Sequence, residues 1–250
     1  MVSSYGSSSS CASIRSHDTR FDWEIDSIDV TQAYLNADLQ HSIYLKLPEG
    51  AEVSAGKVYK LVKSLYGLKQ SGREWHKELD AHLQQLGFFS LLNIPCIYLR
   101  GTGETQVIIV VYANNMLITS LLQNQIHQVK KAIINKWKIT NNKPAKEFLK
   151  IKITQDWRKR TIDLDQCAYI KEIIEEWVKP QEKTWTTMTH TPPTTTPDFE
   201  ADQDLKAKYP VLASKLLWIS NTIWLDISFA VNTLACHISK LTEAAMQVAL

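Results

Sequence analysis

The sequence has few cysteines, almost no net charge and no long apolar run, and each of these shortages excludes a class of protein. The four cysteines, Cys11, Cys96, Cys167 and Cys236, include no pair at metal-ligand spacing, which predicts free thiols in a reducing compartment. The net charge of +2 gives no argument for nucleic-acid binding from the total, although it is compatible with a local basic groove. No apolar run is long enough to span a bilayer, so we expect no membrane association.

The first residues also lack the apolar core of a signal peptide. Residues 1–20 are rich in Ser, which cannot bury enough apolar area to offset chain entropy, so they predict a disordered tail. Arg15 and Arg20 leave a mitochondrial presequence as an alternative, against which Asp18 and the missing apolar face argue. We therefore expect a cytoplasmic, intracellular protein.

What is present is an ordinary globular composition, 44% hydrophobic and 22% charged over 250 residues, enough for one large domain or two small ones. Alternating polar and apolar residues predict strands, and a helical period predicts helices. The predicted strands are 23–30, 43–47, 57–62, 96–99, 148–153 and 161–164, and the predicted helices are 65–86, 123–137, 166–178 and, by pattern, 209–250. A mostly antiparallel sheet with packed helices makes this an α+β fold.

The helix at 65–86 has the most regular pattern. Trp75, Leu79, Leu83 and Leu86 share one face of it, which predicts burial against the sheet. Gly87 follows directly, at the position where a helix C-cap favours glycine.

A second conspicuous segment is the pair of β-rich runs at 107–111 and 117–119, separated by Tyr-Ala-Asn-Asn-Met. The two adjacent Asn residues predict a tight hairpin, because Asn tolerates the positive φ angles of such turns. By itself this segment indicates a buried hairpin and no chemistry.

Two upstream segments change that interpretation. They are Asp-Val-Thr-Gln-Ala-Tyr-Leu-Asn at 29–36 and Leu-Tyr-Gly-Leu-Lys-Gln at 65–70. With the hairpin, their order and spacing resemble the reverse transcriptase of copia-type LTR retrotransposons, and the resemblance covers roughly residues 22–250, including matches at 169–174 and 226–232. It implies a polymerase palm with partial fingers, a thumb-like segment and a C-terminal helical connection.

The resemblance also implies a domain plan. Residues 1–20 are the Ser-rich tail, and 21–157 form partial fingers and palm. Residues 158–183 form the thumb-like segment, 184–204 a linker rich in Thr and Pro, and 205–250 a truncated helical connection.

In this family the palm Asp and the two Asp of a Tyr-Val-Asp-Asp-Met hairpin hold two Mg²⁺ ions for nucleotidyl transfer. The matching positions here are Asp29, Asn114 and Asn115, so the formal charge of the site falls from −3 to −1. Because a neutral amide cannot replace a carboxylate as a ligand for a hard cation, we expect weak Mg²⁺ binding and no catalysis. The other hairpin positions are Tyr112, Ala113 and Met116.

The resemblance places further residues near the substrate. Tyr34 matches the aromatic residue that excludes a 2′ hydroxyl, although a core aromatic is the alternative. Lys69 and Arg73 match a surface facing phosphates, although a solvated helix face is the alternative. The full nucleotide-binding set is Tyr34, Tyr66, Gly67, Lys69, Gln70 and Arg73.

The strand that grips the primer has Leu-Gly-Ile in the family and Leu149, Lys150 and Ile151 here. Lys150 therefore puts a long charged side chain where close backbone approach is expected.

Three functions compete at this point. The first is an inactive reverse transcriptase domain, the second a working RNA-directed DNA polymerase, and the third a non-catalytic nucleic-acid-binding protein derived from it. The implied partners are an RNA or DNA template-primer and deoxynucleoside triphosphates, and the sequence does not determine the oligomeric state. The third function would use Lys57, Lys60, Lys63, Lys69 and Arg73 for salt-sensitive phosphate contacts.

Overall fold

A computed structural model describes residues 13–16, 22–46, 58–142, 144–178, 203–238 and 245. Within these residues the strands are β1 (Ser13–Ser16), β2 (Glu24–Val30), β3 (Tyr44–Leu45), β4 (Tyr59–Lys60), β5 (Phe89–Leu91), β6 (Ile94–Arg100), β7 (Val107–Tyr112), β8 (Asn115–Ser120), β9 (Ile139–Asn142), β10 (Glu147–Phe148), β11 (Ile151–Asp156) and β12 (Thr161–Asp165). The α-helices are α1 (Ser71–Gln85), α2 (Gln123–Lys136), α3 (Cys167–Trp177), α4 (Gln203–Thr222) and α5 (Ser228–Ala235). The predicted combination of antiparallel strands and helices is confirmed.

The chain divides into two compact units. The continuous unit is formed by residues 20–148, and the split unit by residues 1–19 together with 149–250. Each unit has its own apolar core, so each is described separately.

The continuous unit contains a six-stranded antiparallel sheet in the order β5-β6-β7-β8-β2-β9. Alternate residues of the central strands are fully buried, as Ile28 and Val30 are on β2 and Met116 and Ile118 are on β8. Because side chains alternate across a strand, the residues between them, including Asp29, lie on the opposite face. That opposite face carries the candidate site.

Helices α1 and α2 supply the other half of this core. Trp75, Leu79 and Leu83 of α1 are buried in it, as predicted from their spacing. From α2, Ile126 and Ile133 are fully buried in the same cluster. The two helices therefore pack on the face of the sheet opposite Asp29.

The predicted start of α1 at residue 65 is wrong, because the helix begins at Ser71. Gly67 has a φ of 91°, which a right-handed helix cannot accommodate. The Ser71 hydroxyl also donates to the carbonyl of Leu65 at 2.6 Å, which closes a turn ahead of the helix. The predicted end is confirmed, since Gly87 has a φ of 82°.

A short two-stranded ribbon, β3 with β4, also belongs to this unit, and it pairs Tyr44 with Lys60 and Leu45 with Tyr59. The predicted strands 43–47 and 57–62 are therefore present in part, and residues 47 and 57 lie outside the described residues.

In the split unit, β12 pairs antiparallel with both β1 and β11. Strand β1 lies within residues 1–20, where the sequence predicts disorder, and it owes its order to backbone pairing with β12 rather than to an apolar pattern. The rest of that predicted tail lies outside the described residues. Buried residues of α3, α4 and α5 form the core of this unit: Ile170, Ile173, Leu212, Ile219 and Val231.

The predicted continuous strand at 148–153 is wrong. Leu149 and Lys150, between β10 and β11, have φ angles of 53° and 65°, so the extended backbone is interrupted there. The helix predicted from residue 209 begins earlier, at Gln203, and residues 184–202 of the predicted linker lie outside the described residues. No helix within the described ranges is both long and apolar enough to cross a membrane.

Candidate active site

The candidate site lies where β2 meets the hairpin of β7 and β8. The register pairs Asn115, the first residue of β8, with Asp29 on one side and Tyr112 on the other. The backbone N–H of Val30 also donates to the carbonyl of Asn114 at 2.9 Å. The sheet therefore brings Asp29, Asn114 and Asn115 together, as the sequence predicts.

The predicted hairpin is confirmed, but the predicted reason for its turn is wrong. Tyr112 ends β7 and Asn115 begins β8, so the loop consists of Ala113 and Asn114. The positive φ is 53° at Ala113, and neither Asn has one. The adjacent Asn residues thus predicted the turn at the correct place, but the residue with the positive φ is Ala113.

Hydrogen bonds connect the three site residues in a chain. Asn115 Nδ2 donates to Asn114 Oδ1 at 3.3 Å. Asn114 Nδ2 donates in turn to Asp29 Oδ2. Burial raises the pKa of the Asp29 carboxyl, and the hydrogen bond from Asn114 lowers it in part.

These residues do not fit a site for two Mg²⁺ ions. Mg²⁺ takes oxygen ligands and depends on negative charge, yet only Asp29 of the three is a carboxylate. The Asn114 amide presents hydrogen atoms, not a lone pair, to Asp29 Oδ2. Within the described ranges, no three His, Cys, Asp or Glu side chains are grouped so as to hold a metal.

Sequence reasoning missed one residue that holds this hairpin. The indole Nε1 of Trp75 donates to the carbonyl of Ala113 at 2.9 Å, so α1 is tied to the loop. The Trp75 ring packs edge-on against Trp137 with centroids 5.0 Å apart. The apolar period of α1 predicted that Trp75 is buried, but no local pattern reveals which carbonyl its N–H meets.

The proposed sugar-facing aromatic, Tyr34, is partly buried against the core and contacts Tyr66. Their ring centroids are 4.5 Å apart at an interplanar angle of 42°. Tyr66 is 60% exposed, so its ring is accessible to solvent. Gly67 follows with its left-handed backbone.

Three of the predicted phosphate-facing residues line one cavity of about 380 Å³. They are Lys69, Gln70 and Arg73, and His41 joins them from the segment before β3. His41 had no sequence signal, because it lies 28 positions before Lys69 in the chain. Such a cavity, lined by two cations, an amide and an imidazole, can hold an anion.

The other predicted residues are more scattered. Leu149, Lys150 and Ile151 belong to the split unit, where Ile151 packs against the core and Lys150 is exposed. Lys60 and Lys63 are exposed in the continuous unit, and Lys57 lies outside the described residues.

Comparison with known proteins identifies relatives of the chain. The family model described as reverse transcriptase (RNA-dependent DNA polymerase) matches residues 12–192. A retrovirus-related Pol polyprotein from transposon TNT 1-94 of Nicotiana tabacum is 33% identical over 159 residues, which are 62% of this chain and 12% of that protein.

Two further relatives extend the match along the chain. A retrovirus-related Pol polyprotein from transposon RE1 of Arabidopsis thaliana is 27% identical over 234 residues, 90% of this chain and 15% of that protein. A putative transposon Ty5-1 protein of Saccharomyces cerevisiae is 27% identical over 214 residues, 83% of this chain and 68% of that protein. The chain thus spans a small part of the plant polyproteins and about two thirds of the yeast protein.

Proposed function

Because the chain belongs to the reverse transcriptase (RNA-dependent DNA polymerase) family, as a domain of copia-type retrotransposon Pol polyproteins, we propose that it is a degenerate reverse transcriptase domain that does not catalyse nucleotidyl transfer. The single observation that carries this proposal is the hydrogen bond from Asn114 to Asp29 where the family places a pair of carboxylates.

The continuous unit is, in this proposal, the palm with partial fingers, and β3 with β4 is the remnant of the fingers. Its sheet supports the assignment, since Asp29 and the hairpin lie on adjacent strands of one face. Residues 158–183 are assigned to a thumb-like segment and 205–250 to a helical connection. These assignments follow the family plan and the order of the elements along the chain.

The family uses divalent metal ions to neutralise the triphosphate and to activate the primer hydroxyl. The chain retains one of the three carboxylates that such chemistry needs, so no step of it is assigned to these residues. Loss of two charged ligands is expected to lower the rate by several powers of ten, since about 1.4 kcal/mol corresponds to each factor of ten.

The surroundings of the site retain groups that suit a primed template and a nucleotide. The Tyr34 and Tyr66 rings offer an aromatic surface to a sugar or base, and Lys69 with Arg73 offers positive charge to phosphates. The Arg73 guanidinium also lies 3.5 Å from the Glu74 carboxylate.

Primer extension on an RNA template, with Mg²⁺ or Mn²⁺, tests the proposal directly. The unaltered chain is expected to extend no primer, and extension by it would overturn the proposal. The matched chain carries Asn114→Asp with Asn115→Asp, and any activity it gains should vanish on adding Asp29→Asn. Salt-sensitive binding of the primed template without extension would instead favour the nucleic-acid-binding alternative.

A further inference from the structure

The hydrogen bonds around Asp29 are directional, and the direction is fixed by chemistry. An ionised carboxylate only accepts hydrogen bonds, so the amide of Asn114 must turn its nitrogen toward Asp29. Its oxygen then faces Asn115, whose nitrogen donates to it at 3.3 Å. Both amides are therefore oriented by the one carboxylate.

The backbone of the loop is held independently of these side chains. The carbonyl of Ala113 accepts from the Trp75 indole at 2.9 Å. The carbonyl of Asn114 accepts from the backbone N–H of Val30, also at 2.9 Å. The Asn114 side chain thus starts from a fixed position beside Asp29, and its hydrogen bond requires little further ordering.

The two amides do not have equal roles. Asn114 contacts the Asp29 carboxylate, whereas Asn115 contacts Asn114. A divalent cation approaching Asp29 Oδ2 must displace the Asn114 N–H group, which carries partial positive charge, but it need not displace a group of Asn115. Each of the two Asn residues lacks one negative charge, so charge alone would make the two positions equivalent. They differ because only Asn114 contacts Asp29.

We propose that the Asn114 amide takes the place of a metal: its N–H group occupies Asp29 Oδ2, ties the Asn114 side chain to β2 without any ion, and is the group that excludes divalent cations. This inference rests on the proposed loss of the two-metal site and specifies which of the two substitutions causes it. Asn115 plays a supporting part, because its side chain donates to the Asn114 oxygen and not to Asp29.

The test uses the full chain and its variants Asn114→Asp, Asn115→Asp, Asn114→Ala and Asn115→Ala. Binding of Mn²⁺ is measured by the loss of its free electron paramagnetic resonance signal, and thermal unfolding is measured in EDTA and in Mn²⁺. Asn114→Asp is expected to bind Mn²⁺ at least tenfold more tightly than Asn115→Asp, because it alone removes the donor and adds a charge beside Asp29.

Thermal unfolding separates the hydrogen bond from the charge. In EDTA, Asn114→Ala should unfold about 2–4 °C below the unaltered chain, the effect of one lost hydrogen bond in a protein of this size, and Asn115→Ala by less. Asn114→Asp should unfold lower still in EDTA, because two carboxylates then repel, and should recover in Mn²⁺.

Two results would overturn the inference: equal Mn²⁺ affinity of Asn114→Asp and Asn115→Asp, or unfolding of Asn114→Ala at the same temperature as the unaltered chain. Neither depends on polymerase activity. Primer extension by the unaltered chain would contradict the proposed function, whereas these binding and unfolding results concern only which amide holds Asp29.

Discussion

At the scale of single residues, the least expected feature is the charge inside the continuous unit. Asp26 and Lys130 form an ion pair whose side chains are 3% and 2% exposed. Asp26 lies on the helix-covered face of β2, with Ile28 and Val30, because it is an even number of positions from each. The sequence did contain a signal for this pair, because Asp26 falls at a core-facing position of the strand pattern. An acidic residue at such a position indicates a buried residue of opposite charge beside it.

Replacing one partner of this pair should destabilise the protein far more than replacing both. Lys130→Met leaves an unpaired buried carboxylate and should lower the free energy of unfolding by about 3–5 kcal/mol, whereas Asp26→Leu with Lys130→Met should be nearly neutral. Urea denaturation measures both. The control is Lys63→Met, which breaks an exposed pair with Asp38 and should change stability by less than about 1 kcal/mol. Equal loss in the single and double variants would contradict this account.

Trp75 acts on the hairpin through one atom. Trp75→Phe keeps an aromatic ring in the core but leaves the Ala113 carbonyl without its donor, so stability should fall by about 1–3 kcal/mol. Amide hydrogen exchange should also speed up across residues 112–116.

A matched control is Leu83→Val, which trims the same buried helix face but has no hydrogen bond to the loop. It should lower stability by about 1 kcal/mol without changing hairpin exchange specifically. Faster exchange at residues 112–116 in both variants alike would show that the indole N–H has no special role.

At the scale of elements, stability at two turns depends more on backbone conformation than on side-chain type. Ala113 adopts a φ of 53°, a region where glycine is unstrained and alanine is not. Ala113→Gly should therefore raise the free energy of unfolding by about 0.5–1 kcal/mol. The same substitution within helix α2, Ala132→Gly, should lower it by about 1 kcal/mol. Thermal or urea unfolding of both variants checks the opposite signs, and the same sign in both would contradict them.

The segment of Leu149 and Lys150 gives a second case. The sequence suggested that Lys150 obstructs close backbone approach, which stays a prediction. The structure shows a separate feature of this residue, a φ of 65° that is strained for lysine. Lys150→Gly should stabilise the split unit by about 1 kcal/mol, while Lys150→Ala should gain nothing, because alanine is strained there too. If both substitutions stabilise equally in urea unfolding, the lysine side chain rather than the backbone is at fault.

The elements that sequence reasoning found are those with strong periodicity. The buried face of α1 and the strands β7 and β8 follow directly from spacing. Strands β5 and β9 were missed because both are short, and β9 is ordered by pairing with β2, which lies far earlier in the chain. Local patterns do not contain such long-range information.

At the scale of the whole molecule, the order of the motifs was the strongest guide. It identified the family and predicted that Asp29 lies beside the hairpin. The pairing of β2 with β8 shows that it does. The order of the motifs could not predict contacts that depend on side-chain geometry. Examples are the hydrogen bond from Asn114 to Asp29 and the position of His41 in the cavity lined by Lys69, Gln70 and Arg73. Those contacts arise only after strands and helices have packed.

The separate cores predict separate folding. A fragment of residues 20–148 contains a complete buried cluster, so it should unfold cooperatively on heating, as followed by circular dichroism. A fragment of residues 20–120 lacks Ile126, Val129, Ile133 and Trp137 of that cluster and should not. A cooperative transition in the shorter fragment would contradict this prediction.

The left-handed backbone at Ala113 has one further consequence. The family motif has valine at this position, and a β-branched residue is strained there even more than alanine is. Working enzymes tolerate such strain where it shapes chemistry. Rebuilding the family motif here, with Ala113→Val, Asn114→Asp and Asn115→Asp, would add two acidic groups and make the turn more strained. Under the proposed function, restoring catalysis by this route would therefore cost conformational energy at residue 113.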